Sequence, residues 1–343
     1  MALTYRLPFE QEIAEAEAAI SRLDVLGGAS AETLRRMQAD LVQLKKRVFS
    51  QLTPWQNVLV SRHPERPQFL DYVAMIFEDW IELHGDRAIG DDKALRTGFA
   101  KIGDYKVMLI GHHKGRTIQE RTECFFGLAH PEGYRKALNR MKQAAKFGLP
   151  VIALIDTPGA YPGIGAEERG QAALIATNLL EMARLRTPIV CVITGEGGSG
   201  GALGIGVGDR IGMLEFAYYS VISPEGCAGI LWKEGANEEN KAKAASSLRL
   251  TSSHLAELKV IDDVILEPLG GAHRNQAEMG STLKAYLLKR LRELVDKPLD
   301  KLVNQRYAKF RKMGVFTAEN GAPAKPQTKT SAKSAVGRKH NVR

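Results

Sequence analysis

Two apolar runs, residues 151–155 (Val-Ile-Ala-Leu-Ile) and 189–193 (Ile-Val-Cys-Val-Ile), each pass directly into a turn dense in glycine. Both runs are short, rich in β-branched residues and without polar alternation, so they predict strands covered on both faces. The first leads through Asp156, Pro158, Gly159, Tyr161 and Gly163 to Glu167 and Glu168. The second leads through Gly195, Gly197, Gly198, Ser199, Gly200 and Gly201 to Leu203. A strand that ends this way delivers main chain to the start of a helix, where free N–H groups point outward and the helix dipole favours negative charge. Glycine removes the Cβ that would hold a ligand off that main chain. Such turns can hold a phosphate or an oxyanion; the bland alternative is close packing of a helix on a sheet.

Two further apolar runs, 107–110 and 260–266, read as strands, and helical periods fill 134–147 and 167–185. Strands spaced by helices predict a layered α/β domain. A last helix over about 280–295 precedes an end to the ordered part near Arg311. Before this domain, Leu34, Met37, Leu41, Leu44 and Val48 step by three and four, and Ile13, Ala16, Ile20 and Leu23 form a weaker stripe. Gly27 and Gly28 separate them, which predicts a helical hairpin over 9–51. The expected division is a hairpin unit at 1–55, a main domain at 56–315 and a disordered basic tail at 316–343.

Composition excludes several classes. No run approaches the roughly 20 apolar residues that cross a bilayer, and the polar start lacks a secretion signal's apolar core. A cytoplasmic protein without a membrane span is the expectation. Cys124, Cys191 and Cys227 are too far apart for a disulfide framework or a local zinc site, and Cys191 reads as core. Of the net charge of +9, six positive charges fall in residues 321–343 with no acid, leaving about +3 for the rest. That argues against nucleic acid as a partner and for a solvated extension; an RNA-binding tail remains a third reading.

The second glycine turn also matches two catalytic or cofactor patterns. Gly195, Gly197 and Gly200 spell G-x-G-x-x-G, but that fingerprint needs a long helix and a returning strand within ~30 residues. Only residues 202–208 precede Asp209 and Arg210, so the dinucleotide reading fails. A P-loop fails too, because no Lys-Ser or Lys-Thr follows. Gly197, Ser199 and Gly201 spell G-x-S-x-G, the nucleophile elbow of serine hydrolases, with His254 and His273 downstream as candidate bases. A serine hydrolase with Ser199 as nucleophile is therefore the alternative function; serine is also a common helix cap.

The turns and their neighbours closely resemble the alpha subunit of the bacterial acetyl-CoA carboxylase carboxyltransferase. The matching segments include Gly85-Asp-Arg87, Lys114-Gly-Arg116, residues 131–138, 155–163, 165–171, 195–203 and 220–228, and the run 267–275. The resemblance spans about 5–315 and leaves the tail outside. It implies the crotonase (ClpP-like) fold of repeated β-β-α units. It also implies transfer of a carboxyl group from carboxybiotin, on the biotin carboxyl carrier protein, to acetyl-CoA, giving malonyl-CoA for fatty acid synthesis. The beta subunit would complete an α2β2 enzyme and carry the zinc, and a separate biotin carboxylase would consume ATP. No metal or covalent cofactor is implied for this chain.

By the same resemblance, the backbone N–H groups of Gly200 and Gly201 form the biotin-side oxyanion hole; Gly197 and Gly198, which shape the turn, and Gly159 are candidate substrate-binding residues. Tyr161 is open to two readings, flanking the biotin channel or packing. Lys114 and Arg116 are candidates for CoA phosphates or the partner, or a solvated face. Ser223, Pro224 and Glu225 read as a helix start with serine as cap, and Glu225 is a minor catalytic candidate. His112 and His113 lack a second ligand at metal spacing. Glu167 and Glu168 suit a helix first turn without further purpose.

Overall fold

Strand β5 (Ile189–Gly198) is buried at all ten positions and forms the spine of the molecule. A computed structural model of the chain describes residues 5–26 and 30–314. Around the spine lies an eight-stranded sheet in the order β1-β2-β3-β4-β5-β6-β8, with β7 paired to β5 off this path. Its members are β1 (Glu78–Glu82), β2 (Leu95–Ile102), β3 (Tyr105–His112), β4 (Val151–Thr157), β5, β6 (Arg210–Leu214), β7 (Tyr218–Ser220) and β8 (Asp263–Ile265).

Edge strand β1 runs antiparallel to β2, and a two-residue turn at Gly103 (φ 55°) folds β2 antiparallel onto β3. From β3 to β8 every pairing is parallel. The unbroken apolar character of 107–110, 151–155 and 189–193 follows from this placement, because helices cover the parallel strands. Helix Pro131–Phe147 packs on β2 and β3, and helix Gln276–Val295 packs on β5 and β8 through buried Leu283, Leu287 and Leu291. Pro131 opens the first of these, and Gly148 (φ 67°) closes it in the left-handed conformation that a side chain would resist.

The mixed α/β domain follows the expected pattern, but β1, β2, β6 and β7 add four strands to the four expected, and four expected features differ in detail. The helical period 167–185 is two helices, Ile164–Glu168 and Gln171–Arg184, parted at Gly170 (φ 81°). The run 260–266 yields only the three-residue strand β8, the rest being turn and loop. Helix Gln276–Val295 is not the last, since Leu299–Arg311 follows it. Buried Leu302 and Arg306 together fasten this helix, with Phe310 packed against the core. The glycines after 193 are not all turn: β5 continues to Gly198, and the chain reverses only at Ser199 (φ 49°).

Helices Gln11–Leu26 and Ala31–Ser50 occupy the predicted hairpin, and Gly27 and Gly28 lie outside the described residues. Their apolar stripes are half-buried, and Ile13 and Phe49 pack with Leu7, Val60 and Phe216. The basic tail lies outside the described residues. Among the described residues no helix is long and apolar enough to cross a membrane.

Candidate functional site

The two glycine turns lie side by side at the carboxyl ends of β4 and β5. Their main chains touch. A Cβ on Gly198 would come within 2.1 Å of the Pro158 carbonyl oxygen, and one on Gly201 within 2.3 Å of the Gly159 carbonyl carbon. A Cβ on Gly197 would meet Tyr219 Cδ2 at 2.8 Å and the Tyr218 carbonyl at 3.1 Å. Gly197, Gly198 and Gly201 are therefore required by packing alone. Gly200 differs, because its Cβ would find nothing nearer than Ile175 Cδ1 at 3.5 Å, an ordinary contact.

Ser199 and the residues after it form the short helix Ser199–Leu203. The N–H groups of Gly200 and Gly201 belong to its first turn, where no intrahelical acceptor exists. The Tyr134 hydroxyl donates to the Gly201 carbonyl at 3.2 Å, which fixes the turn from below. In front of Ser199 and Gly200 opens a cleft of about 410 Å³, lined mainly by apolar side chains including Leu203, Tyr219, Val221, Leu255 and Phe310. Donors at the edge of an apolar cleft act on charge in a low-dielectric setting, where such contacts are strongest.

A charged network lies behind the turns. Glu196, two residues before Gly198, is buried, and its carboxylate accepts from Lys114 Nζ at 2.7 Å, Arg62 Nε at 2.7 Å and the Tyr218 hydroxyl at 2.9 Å. Burial by itself would raise this carboxyl, but Lys114 and Arg62 outweigh it and hold it down to about 2. Lys114 also pairs with Asp156 at 2.6 Å, and Asp156 accepts the Glu196 N–H at 2.8 Å. Burial would lower the Lys114 ammonium; the two carboxylates reverse that and raise it.

These contacts place the residues singled out by the sequence. Lys114 is 18% exposed, is paired twice, and lines a cavity with Arg62, Asp156 and Glu196. Arg116 pairs with Asp71 and donates to the Pro64 and Arg66 carbonyls, so it too is engaged. Tyr161 stacks on His130 with ring centroids 4.1 Å apart and meets Phe125 edge-on at 5.6 Å, while Gly159 lies beneath Gly198 and Gly201. That makes Tyr161 part of an aromatic cluster beside the first turn. Ser223 caps helix Pro224–Leu231 as its sequence predicts, and Glu225 is held by Arg62.

The Ser199 hydroxyl makes no hydrogen bond to any described residue. His254 Nδ1 sits 2.9 Å from the Thr251 hydroxyl, and His273 is stacked on His63 at 3.9 Å. Neither histidine serves as a base for Ser199. Glu10, His63 and His273 form a buried trio within 4.8 Å, but the two rings are only 18° from parallel. Their in-plane lone pairs then run side by side and do not converge, while Arg274 holds Glu10 at 2.7 Å. The trio fastens the N-terminal segment to the domain.

Sequence reasoning missed Asp156, Glu196, Arg62 and Tyr218. The available signal was an acid at each strand end, Asp156 after the run 151–155 and Glu196 after 189–193.

A model of the acetyl co-enzyme A carboxylase carboxyltransferase-like family matches residues 6–314. Among its relatives, the acetyl-coenzyme A carboxylase carboxyl transferase subunit alpha of Rhodopirellula baltica is 56% identical over 92% of this chain and 98% of its own length. The chain belongs to the acetyl-CoA carboxylase carboxyltransferase alpha family. Alpha subunits from Geobacter metallireducens and Vibrio vulnificus are 51% and 50% identical, over 92% and 90% of this chain and 99% and 98% of their own. Among solved structures, transcarboxylase 12S aligns with a TM-score of 0.51 at 22% identity, over 65% of this chain and 42% of that one. The geranyl-CoA carboxylase beta subunit of P. aeruginosa gives 0.52 at 18%, over 72% and 46%. The chain thus spans less than half the length of those solved chains, and they show its fold alone, a crotonase-like one. The alpha-family match ends at residue 314, so the basic tail falls outside it.

Proposed function

We propose that this chain is the alpha half of an acetyl-CoA carboxylase carboxyltransferase. It moves the carboxyl group of carboxybiotin, presented by a biotin carboxyl carrier protein, to acetyl-CoA, and malonyl-CoA is the product. The observation that carries this reading is end-to-end similarity to alpha subunits, 56% over 92% of the chain in one case. The glycine turn supports it chemically. When carboxybiotin releases CO2, negative charge collects on the ureido oxygen, and the freed ureido nitrogen can take a proton from the acetyl methyl group. The Gly200 and Gly201 N–H groups, at the mouth of an apolar cleft, suit that oxygen; one such donor is worth roughly 10²–10³ in rate.

The enolate of acetyl-CoA needs a second set of donors, which this reading assigns to the beta subunit together with most CoA contacts and the zinc. The pairing of Lys114 with Asp156 and Glu196, and of exposed Arg116 with Asp71, favours that division over a phosphate clamp on this chain. An α2β2 complex in the cytoplasm, fed by an ATP-consuming biotin carboxylase, completes the reading. Within the chain, residues 56–315 hold the site, 1–55 brace it and 316–343 form an appended tail.

The test is transfer from malonyl-CoA to a free biotin derivative, the reverse reaction. It is run on this chain alone and on the chain co-expressed with the beta subunit of the same genome. Activity only in the complex is the expected result. No activity from a folded, associated complex overturns the proposal.

A further inference from the structure

The assignment of Lys114 to ligand phosphates leaves its actual place unexplained. Its side chain comes off the end of β3, and its ammonium bridges two carboxylates, Asp156 at 2.6 Å and Glu196 at 2.7 Å. Asp156 stands at the base of the first glycine turn and Glu196 at the base of the second. Among the described residues, Lys114 is the one cation in ion-pair contact with both. Arg62 reaches Glu196 but not Asp156.

The two turns are thus joined at two heights. At their tips, glycine main chains touch, Gly198 on Pro158 and Gly201 on Gly159. At their bases, Lys114 holds the acids together. Gly195 belongs to the same device, since a Cβ there would sit 2.5 Å from Asp156 Oδ1 and push the carboxylate away from the Glu196 N–H. We infer that Lys114 is a positioning residue for the Gly200 and Gly201 donors, acting through Asp156 and Glu196. The inference rests on the oxyanion-hole reading above.

Removing the ammonium leaves two like charges facing each other at the ends of β4 and β5. They separate or share a proton. Either response shifts the strand end that carries Gly200, and displacement of about 1 Å in a catalytic geometry costs up to roughly 10²-fold. The donors act on charge that develops during reaction, so the loss falls on kcat.

The experiment uses the full alpha–beta complex and the reverse transfer assay. Lys114→Met is expected to lower kcat by roughly 30-fold or more at pH 8, with KM for malonyl-CoA within about twofold. Lys114→Met/Asp156→Asn removes the opposed charges while keeping an acceptor for the Glu196 N–H, and it is expected to recover about tenfold of that loss. A plain structural role lowers stability in both variants and does not give the recovery.

Wild-type kcat in a folded Lys114→Met complex overturns the inference. So does a raised KM at unchanged kcat, the signature of a phosphate clamp, and so does a double variant no better than the single. If Lys114→Met does not assemble, Lys114→Arg carries the test: it keeps the charge with a different reach, and a lowered kcat at normal KM is expected. An inactive wild-type complex would instead sink the parent reading, so the two failures are distinct.

Discussion

Gly201 and Gly159 lie main chain against main chain, so closely that a Cβ on Gly201 would approach the Gly159 carbonyl carbon to 2.3 Å. Gly200, one residue earlier, has 3.5 Å of clearance. Adjacent glycines therefore serve different ends, one packing and one access.

That contrast gives opposite phenotypes. Gly201→Ala should destabilise the chain by about 3 kcal/mol through overpacking against backbone that cannot yield. Gly200→Val should keep a melting temperature within a few degrees of wild type and lose at least tenfold in transfer rate, because its branched side chain shields the donors. Thermal melts and the reverse assay on both variants check this, and normal activity in folded Gly200→Val would remove the hole assignment.

Arg306 fixes the last described helix. It is buried, pairs with both oxygens of Asp209 at 2.9 and 2.7 Å, and donates to the carbonyls of Met182, Leu185 and Thr187. Arg306→Ala strips a buried carboxylate and three carbonyls of their partner, at an expected cost of about 3–5 kcal/mol. Urea denaturation would show it as a lower midpoint, and an unchanged midpoint would contradict the account.

Stability should fall on the acid side of neutrality. Burial, aided by His273, Arg96 and Lys114 in turn, lowers His63 to about 4, His113 to about 4 and His112 to about 3. The unfolded chain protonates these near 6.5, so it binds more protons than the folded one below that pH. Their contribution is complete above pH 6.5 and is lost as pH falls toward 3–4, by up to roughly 4 kcal/mol per pH unit for three groups. Glu10 and Glu196, both held near 2, add a further loss below about 4.5. Melting temperatures at pH 7.5, 6 and 5 should decline in that order; a flat profile would refute the neutral buried histidines.

Ser199→Ala should change kcat by less than about threefold, since no described histidine is placed to activate the hydroxyl. Deleting residues 321–343, beyond the family match, should likewise leave transfer intact. A reagent that labels Ser199 covalently, with loss of activity in the alanine variant, would revive the hydrolase reading.

Strands β3, β4 and β5 were legible because a strand buried on both faces must be apolar throughout, as 151–155 and 189–193 are; β1, β2, β6 and β7 were not, being short or broken by polar residues. Caps such as Ser223 and breaks such as Gly148 act within a few residues and could be read locally. Helix Leu299–Arg311 was not, because beside Leu302 its buried anchor is Arg306, a charge whose partners lie about 100 residues away. The glycine turn itself was visible, but sequence could not say which glycine serves packing and which serves access. Nor could it show that Lys114 is spoken for: a lysine after a strand looks the same whether it faces solvent or two carboxylates. By itself the sequence determined the fully buried strands, several helix caps and breaks, the family and the presence of a glycine-rich turn, all carried by neighbouring residues. Only the tertiary structure decided the roles within the site, because β3, β4 and β5 must lie side by side before Lys114, Asp156 and Glu196 can meet.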